Sequence, residues 1–250
     1  MKILGVSKIF FYKTKCHKNV EKILDFYENE GIVQLTTFYF PPPYDQEGTF
    51  IRLWTRIQKF SYRAAQNIYI TDCLQRNKDD FDYLAVFDPD EIPILRHHRS
   101  LPELLKSLRK LKKNKQYSYF LKWKTFFRDL HSSTSPQNET DRSYIFSHNI
   151  RTKLNSKASK FEANGKTIHD TKLAFWAHPH NHILRKSKLV TSTKKRHVFK
   201  GKAYMGHFSE HICVKKENCF EGNIEEETAL LPIREKVVQK MNKVLSVLEI

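Results

Sequence analysis

Asp82-Tyr83-Leu84-Ala85-Val86-Phe87-Asp88-Pro89-Asp90-Glu91 decides how this chain is read. An apolar run, Tyr83 to Phe87, has the composition of a buried strand and ends in three carboxylates within four residues. Such a cluster repels itself and resists ionisation in a low dielectric unless a cation neutralises it. In an extended segment Asp88 and Asp90 share one face, about 6.5 to 7 Å apart at Cα, while Glu91 points the other way. Oxygen ligands of this kind suit Mg²⁺ or Mn²⁺, with positions left for phosphate oxygens and water, so the implied ligand is a diphosphate. The competing reading is turn chemistry, in which Asp side chains accept local backbone N–H groups.

Upstream, Lys8 to Tyr12 reads as a strand, and Asn19 to Tyr27 as a helix with Val20, Ile23, Leu24 and Tyr27 on one face. Gly31 stops that helix. Ile32 to Phe40 is a β-branched strand closed by Pro41-Pro42-Pro43, and a helix from about Thr49 to Arg76 leads back to Tyr83. Strands alternating with helices predict an α/β fold with a mostly parallel sheet flanked by helices. Its ligand crevice lies at the carboxyl ends of the strands, where the acidic cluster falls. Downstream, Ser100 caps a helix running to about Lys112, with Pro102 in its first turn and Glu103 at the capping-box position. Tyr117 to Phe127 is an aromatic strand, 131–141 a polar loop, Ser143 to Lys153 short strand-like runs, and Arg234 to Leu248 an amphipathic helix. A small additional antiparallel region is also expected.

The 250 residues carry no Gly/Ser/Pro-rich linker, which predicts one domain over 1–250. A hydrophobic content of 40% is globular, and a net charge of +17 predicts an anionic partner. No helix-turn-helix, zinc-finger or RNA-binding signature accompanies that charge, so nucleic acid is not expected. Cys16, Cys73, Cys213 and Cys219 lack C-x-x-C spacing; Cys213 and Cys219 either pair in an oxidising compartment or stay as free thiols. Asn138-Glu139-Thr140 is an acceptor sequon, usable only in the secretory pathway. No run of 18 apolar residues exists, and Lys8, Lys13 and Lys15 interrupt any signal-like segment. His178-Pro179-His180-Asn181-His182 lacks the cysteine or carboxylate partners of a zinc site.

Together these pieces resemble glycosyltransferase family 92, animal galactosyltransferase-like enzymes of the GT-A fold. Gly5-Val6-Ser7-Lys8-Ile9-Phe10-Phe11-Tyr12 is similar to that family's first recognisable strand, and Val20 to Gly31 followed by Val33-Gln34-Leu35 to its helix and strand. Gln66 through Arg76 and Phe87-Asp88-Pro89-Asp90-Glu91-Ile92-Pro93-Ile94 resemble its metal motif and the segment before it. Arg151, Lys166-Thr167-Ile168, His178 and Met205-Gly206-His207-Phe208 resemble its later lysine, histidine and His-Tyr-Arg elements. The last of these reads His207-Phe208-Ser209 here, without the tyrosine hydroxyl and the arginine.

The resemblance implies a metal-dependent, inverting transfer of a hexose, galactose from its uridine diphosphate donor, to a glycan acceptor. Asp90 is then the direct ligand of Mn²⁺ or Mg²⁺, and Asp88 binds through water or a ribose hydroxyl. His207 or His178 completes the coordination, while Lys166 or Arg151 meets the diphosphate. The base that deprotonates the acceptor hydroxyl stays open among Asp129, Asp141, Asp170 and Glu210. Trp123, Phe126 and Phe127 either stack on the acceptor or belong to the core. The resemblance also implies a Golgi-lumenal enzyme whose anchor and first strand-helix unit precede Met1. The alternative is a catalytically incomplete relative that binds glycans or polyanions.

Overall fold

The computed structural model describes residues 1–39, 42, 59–110, 118–127, 130, 143–153, 164–180, 195–208 and 224–250. The chain opens with a 3-10 turn (Lys2–Leu4), strand β1 (Ile9–Lys13), helix α1 (Lys18–Asn29) and strand β2 (Val33–Thr37). His17 caps α1, its Nδ1 accepting from Asn19 N–H at 3.2 Å. At the other end Gly31 takes φ 72°, Gly31 N–H donates to Glu28 O and Ile32 N–H to Tyr27 O. This crossed pair is the Schellman closure, which needs a left-handed residue and so explains glycine at the stop. β1 and β2 pair in parallel, Ile9 opposite Val33.

Helix α2 (Lys59–Asn77) leads to β3 (Tyr83–Ala85), β4 (Glu91–Leu95) and helix α3 (Leu101–Lys110). The part of the expected long helix over 49–58 lies outside the described residues. Then come β5 (Ser118–Thr125), a short helix α4 (Tyr144–Ser147), β6 (Ile150–Thr152), β7 (Gly165–Asp170), β8 (Lys195–His197), β9 (Ala203–His207), β10 (Ile224–Glu226) and helix α5 (Leu231–Leu248). The strand-like reading of Ser143 to Lys153 thus holds only for its second half.

The main sheet has six strands in the order β3-β7-β5-β9-β4, with β8 beside β5. It is mixed, which corrects the expectation of a mostly parallel sheet. β5 runs parallel to β8 and β9, but β3/β7, β5/β7 and β4/β9 are antiparallel. β6 and β10 form a separate antiparallel pair. The reason lies in the connections. The β-α-β alternation that predicts parallel neighbours covers only the first part of the chain, and from β5 onward no described helix longer than four residues intervenes until α5.

Strand register fixes which residues share a face. The pairs Tyr83↔Asp170, Ala85↔Ile168, Tyr119↔Ile168, Leu121↔Lys166, Trp123↔Met205, Thr125↔His207, Glu91↔His207, Pro93↔Met205 and Leu95↔Ala203 all lie on one side. Leu101, Leu104, Leu105 and Leu108, at i, i+3, i+4 and i+7 of α3, pack there against Tyr119, Leu121, Ile168, Ala203 and Met205. Ser100 Oγ accepts from Glu103 N–H at 3.3 Å, and Glu103 reaches back to the N–H of Arg99 at 2.8 Å. On the opposite face Leu84 meets Ile70, Cys73 and Leu74 of α2, and Ile94, Tyr204, Phe126 and Phe208 meet the α5 side chains Ile233, Val237 and Val238. Cys16 and Cys73 are free thiols, and Cys73 is buried, which pushes its thiol up to about 11. Cys213, Cys219 and the Asn138 sequon lie outside the described residues.

Candidate active site

Beyond the end of the α3-covered core, the same sheet face turns polar. Asp88 to Glu91 is a turn, with Glu91 N–H donating to Asp88 O at 3.0 Å, so the extended geometry expected for Asp88 and Asp90 does not occur. Proline at the second position of such a turn presets its backbone. Glu91 therefore opens β4 pointing inward, 2% exposed, while Asp88 and Asp90 remain half-open to solvent.

Each carboxylate has its own company. Lys166, whose side chain is 1% exposed, places Nζ 2.7 Å from Asp88 Oδ2 and 3.3 Å from Glu91 Oε2. Glu91 Oε2 also accepts from Asp88 N–H at 2.9 Å, and Glu91 Oε1 from Trp123 Nε1 at 2.7 Å. Burial pushes the Glu91 carboxyl up to about 7, with Lys166 pulling the other way. Asp90 faces His207, Oδ2 to Nε2 3.4 Å, and the imidazole hydrogen bond holds its carboxyl below the usual carboxylate range.

Backbone contacts fix this arrangement. Phe208 N–H donates to Asp90 O at 2.9 Å, and Phe126 N–H to His207 O at 3.0 Å. Phe208 is buried and stacks on Phe126 at 4.1 Å, so the residue standing where the family pattern has tyrosine serves the core. Gly165 precedes Lys166 because nothing larger fits: a Cβ there would lie 2.0 Å from Leu121 O. The Trp123 ring stacks on His207 at 4.7 Å and meets His180 edge-on at 5.3 Å, and His180 Nδ1 lies 2.9 Å from Gly165 O.

Of the residues singled out from sequence, Asp88, Asp90, Lys166 and His207 come together, with Glu91 and Trp123 between them. His178 joins only at the margin, its Nδ1 accepting from His180 N–H at 3.0 Å and its ring 6.2 Å from that of His180. Arg151 is elsewhere: it is 1% exposed and paired with Glu227, at 2.8 Å, and with Glu225. Its guanidinium also lies 5.1 Å from the ring centroid of Tyr204. These partners come from β10, the residue that follows it, and β9. Asp170 ends β7, four residues beyond Lys166 and about 13 Å along the strand, and its carboxylate accepts from Lys172 N–H at 3.1 Å. Asp129, Asp141 and Glu210 lie outside the described residues. Phe126 and Phe127 are core, at 1% and 4% exposure, whereas Trp123 is part of the site. Sequence reasoning missed the Trp123 to Glu91 bond and the approach of His180. The signal for Trp123 is its i+2 alternation with Leu121, which puts it on the face that carries the acidic turn.

Among the described residues no group of three or more His, Cys, Asp or Glu side chains is arranged as a metal cage. What exists is a carboxylate and an imidazole side by side at an open edge. The chain belongs to glycosyltransferase family 92, whose profile matches residues 1–246, and it is a glycosyltransferase that takes a sugar donor and an acceptor. No curated protein matches it. No helix among the described residues is long and apolar enough to cross a membrane.

Proposed function

We propose that the chain transfers a hexose, galactose from a uridine diphosphate donor, to a glycan hydroxyl with inversion, and that it does so with Mn²⁺ or Mg²⁺ bound. The observation that carries this reading is the meeting of Asp90 and His207 at 3.4 Å at the half-open edge of the sheet. One oxygen and one nitrogen ligand, with Asp88 beside them, suit an ion that takes its remaining positions from diphosphate oxygens and water. The ion's contribution would be to offset charge on the departing diphosphate.

The chain's own residues then divide the work. Asp90 and His207 would hold the ion, and Asp88 would reach the ribose or a bound water. Lys166 balances the charge of the acidic turn from beneath, a role suited to an ammonium buried between two carboxylates. The base that takes the acceptor proton stays open among Asp129, Asp141, Asp170 and Glu210, of which Asp170 stands at the far end of β7. The proposed place of action is the Golgi lumen, which rests on the family resemblance alone.

The test is calorimetric titration of uridine diphosphate into the protein with Mn²⁺ and then with chelator. Binding that requires the metal supports the reading. Binding that survives chelation and falls steeply with salt overturns it in favour of a polyanion-binding module.

A further inference from the structure

Trp123 is the node at which both arms of the site meet. One arm runs from its indole N–H to Glu91 Oε1, at 2.7 Å, and from Glu91 Oε2 to Asp88 N–H, at 2.9 Å. The other runs from its ring face to His207, centroids 4.7 Å apart and planes 11° from parallel, and from His207 Nε2 to Asp90, at 3.4 Å. The indole itself is fixed from several sides. Its backbone N–H donates to Asn164 O at 3.0 Å, its strand neighbour is Met205, and the His180 ring packs on it at 83°. Indole joins a directed donor and a broad aromatic face in one rigid body; phenylalanine lacks the donor and leucine lacks both.

We propose that Trp123 is a positioning residue that keeps the acidic turn and the imidazole in register, Asp88 through Glu91 and Asp90 through His207. Its effect on donor binding rests on the function proposed above, whereas its structural part stands apart from that reading. Neither Glu91 nor Trp123 touches substrate in this scheme. The indole occupies one Glu91 oxygen, so the carboxylate stays turned to the sheet and leaves the outer positions to Asp88 and Asp90.

Two variants separate the arms, read by NMR on the metal-free protein and by titration of uridine diphosphate with Mn²⁺. Trp123→Phe should speed hydrogen exchange at the Asp88 amide at least about tenfold while the His207 ring protons keep their upfield ring-current shift. The Val198 amide, bonded to Phe120 O at 3.0 Å away from the site, is the control for general loosening and should not change. Trp123→Leu should also abolish the His207 shift, and metal-dependent nucleotide affinity should fall about 10- to 100-fold, as for other residues that orient ligands without binding the ion. An unchanged Asp88 amide, an Asp88 change no larger than that at Val198, or an unmoved His207 signal in Trp123→Leu would each overturn the proposal. If the wild-type protein shows no metal-dependent binding, the functional reading fails while the two NMR readouts still decide the role of Trp123. Should Trp123→Leu not fold, Trp123→Phe decides through Asp88 and Val198.

Discussion

Lys166 and Asp88, 78 positions apart in the chain, meet at 2.7 Å with the lysine side chain 1% and the aspartate 44% exposed. The ammonium also lies 3.3 Å from Glu91, a carboxylate with no exposure. Removing the lysine would strand that buried carboxylate, and a lost partner in a buried pair costs about 3 to 5 kcal/mol. The open side of Asp88 moderates this, so Lys166→Met should lower unfolding free energy by about 3 kcal/mol in urea titration. A loss under about 1 kcal/mol would show that the pair is screened as surface pairs are.

Asp90 is different, since its side chain is 42% exposed and its partner is an imidazole. Asp90→Asn should leave the melting temperature within about 2 °C of wild type, as expected for a surface change. Metal-dependent binding of uridine diphosphate should nevertheless be lost in the calorimeter. Undiminished binding in this variant would remove Asp90 from the ligand set.

Acid should weaken the protein through Glu227. Burial works against its ionisation, yet hydrogen bonds from Tyr204, Ala229 N–H and Arg151 outweigh that and leave its carboxyl below the usual range. A carboxyl depressed in the folded state gives stability that is present above its unfolded value, near 4.5, and is lost as pH falls through the folded one. Urea unfolding below about pH 4.5 should therefore show falling stability in the wild type. Glu227→Gln, less stable at neutral pH because Arg151 loses a charged partner, should have the flatter profile. Parallel profiles for the two proteins would exclude Glu227 as the source.

Gly165 tests the tightness of the sheet beneath the site. Because an added Cβ would meet Leu121 O at 2.0 Å, the strand must move, and overpacking against backbone costs about 3 kcal/mol. Gly165→Ala should lower the melting temperature by several degrees and displace Lys166 from Asp88. A crystal structure of the variant with the 2.7 Å contact intact would contradict this.

Much of the fold was legible where local rules act alone. Gly31 ends α1, Ser100 opens α3, and the leucine spacing of α3 marks its buried side, because capping and periodicity are properties of neighbouring residues. The sheet was not legible in the same way. Strand direction depends on which distant segments pair, and the regular alternation of the first part of the chain stops before β5. Within the site, Asp88 and Asp90 could be named because carboxylates after a strand are conspicuous in a sequence, whereas Lys166 and His207 could be named only through the family resemblance. The turn at Asp88 to Glu91 is local and is the competing reading of the motif, but the burial of Glu91 and the burial of Arg151 depend on cross-strand register. Arg151 in particular looks like any of the 44 basic residues until Glu225 and Glu227 are brought opposite it.

The inward turn of Glu91 bears on any attempt to graft this motif onto another scaffold. Asp88-Pro89-Asp90-Glu91 is a contiguous tetrapeptide, but what makes its acids unlike one another comes from Trp123, 32 positions beyond Glu91, and Lys166, 78 positions beyond Asp88. Moved alone, the tetrapeptide would carry three equivalent charges with no preferred orientation. Moved with an indole and an ammonium on two adjacent antiparallel strands, it would have one acid facing in and two facing out.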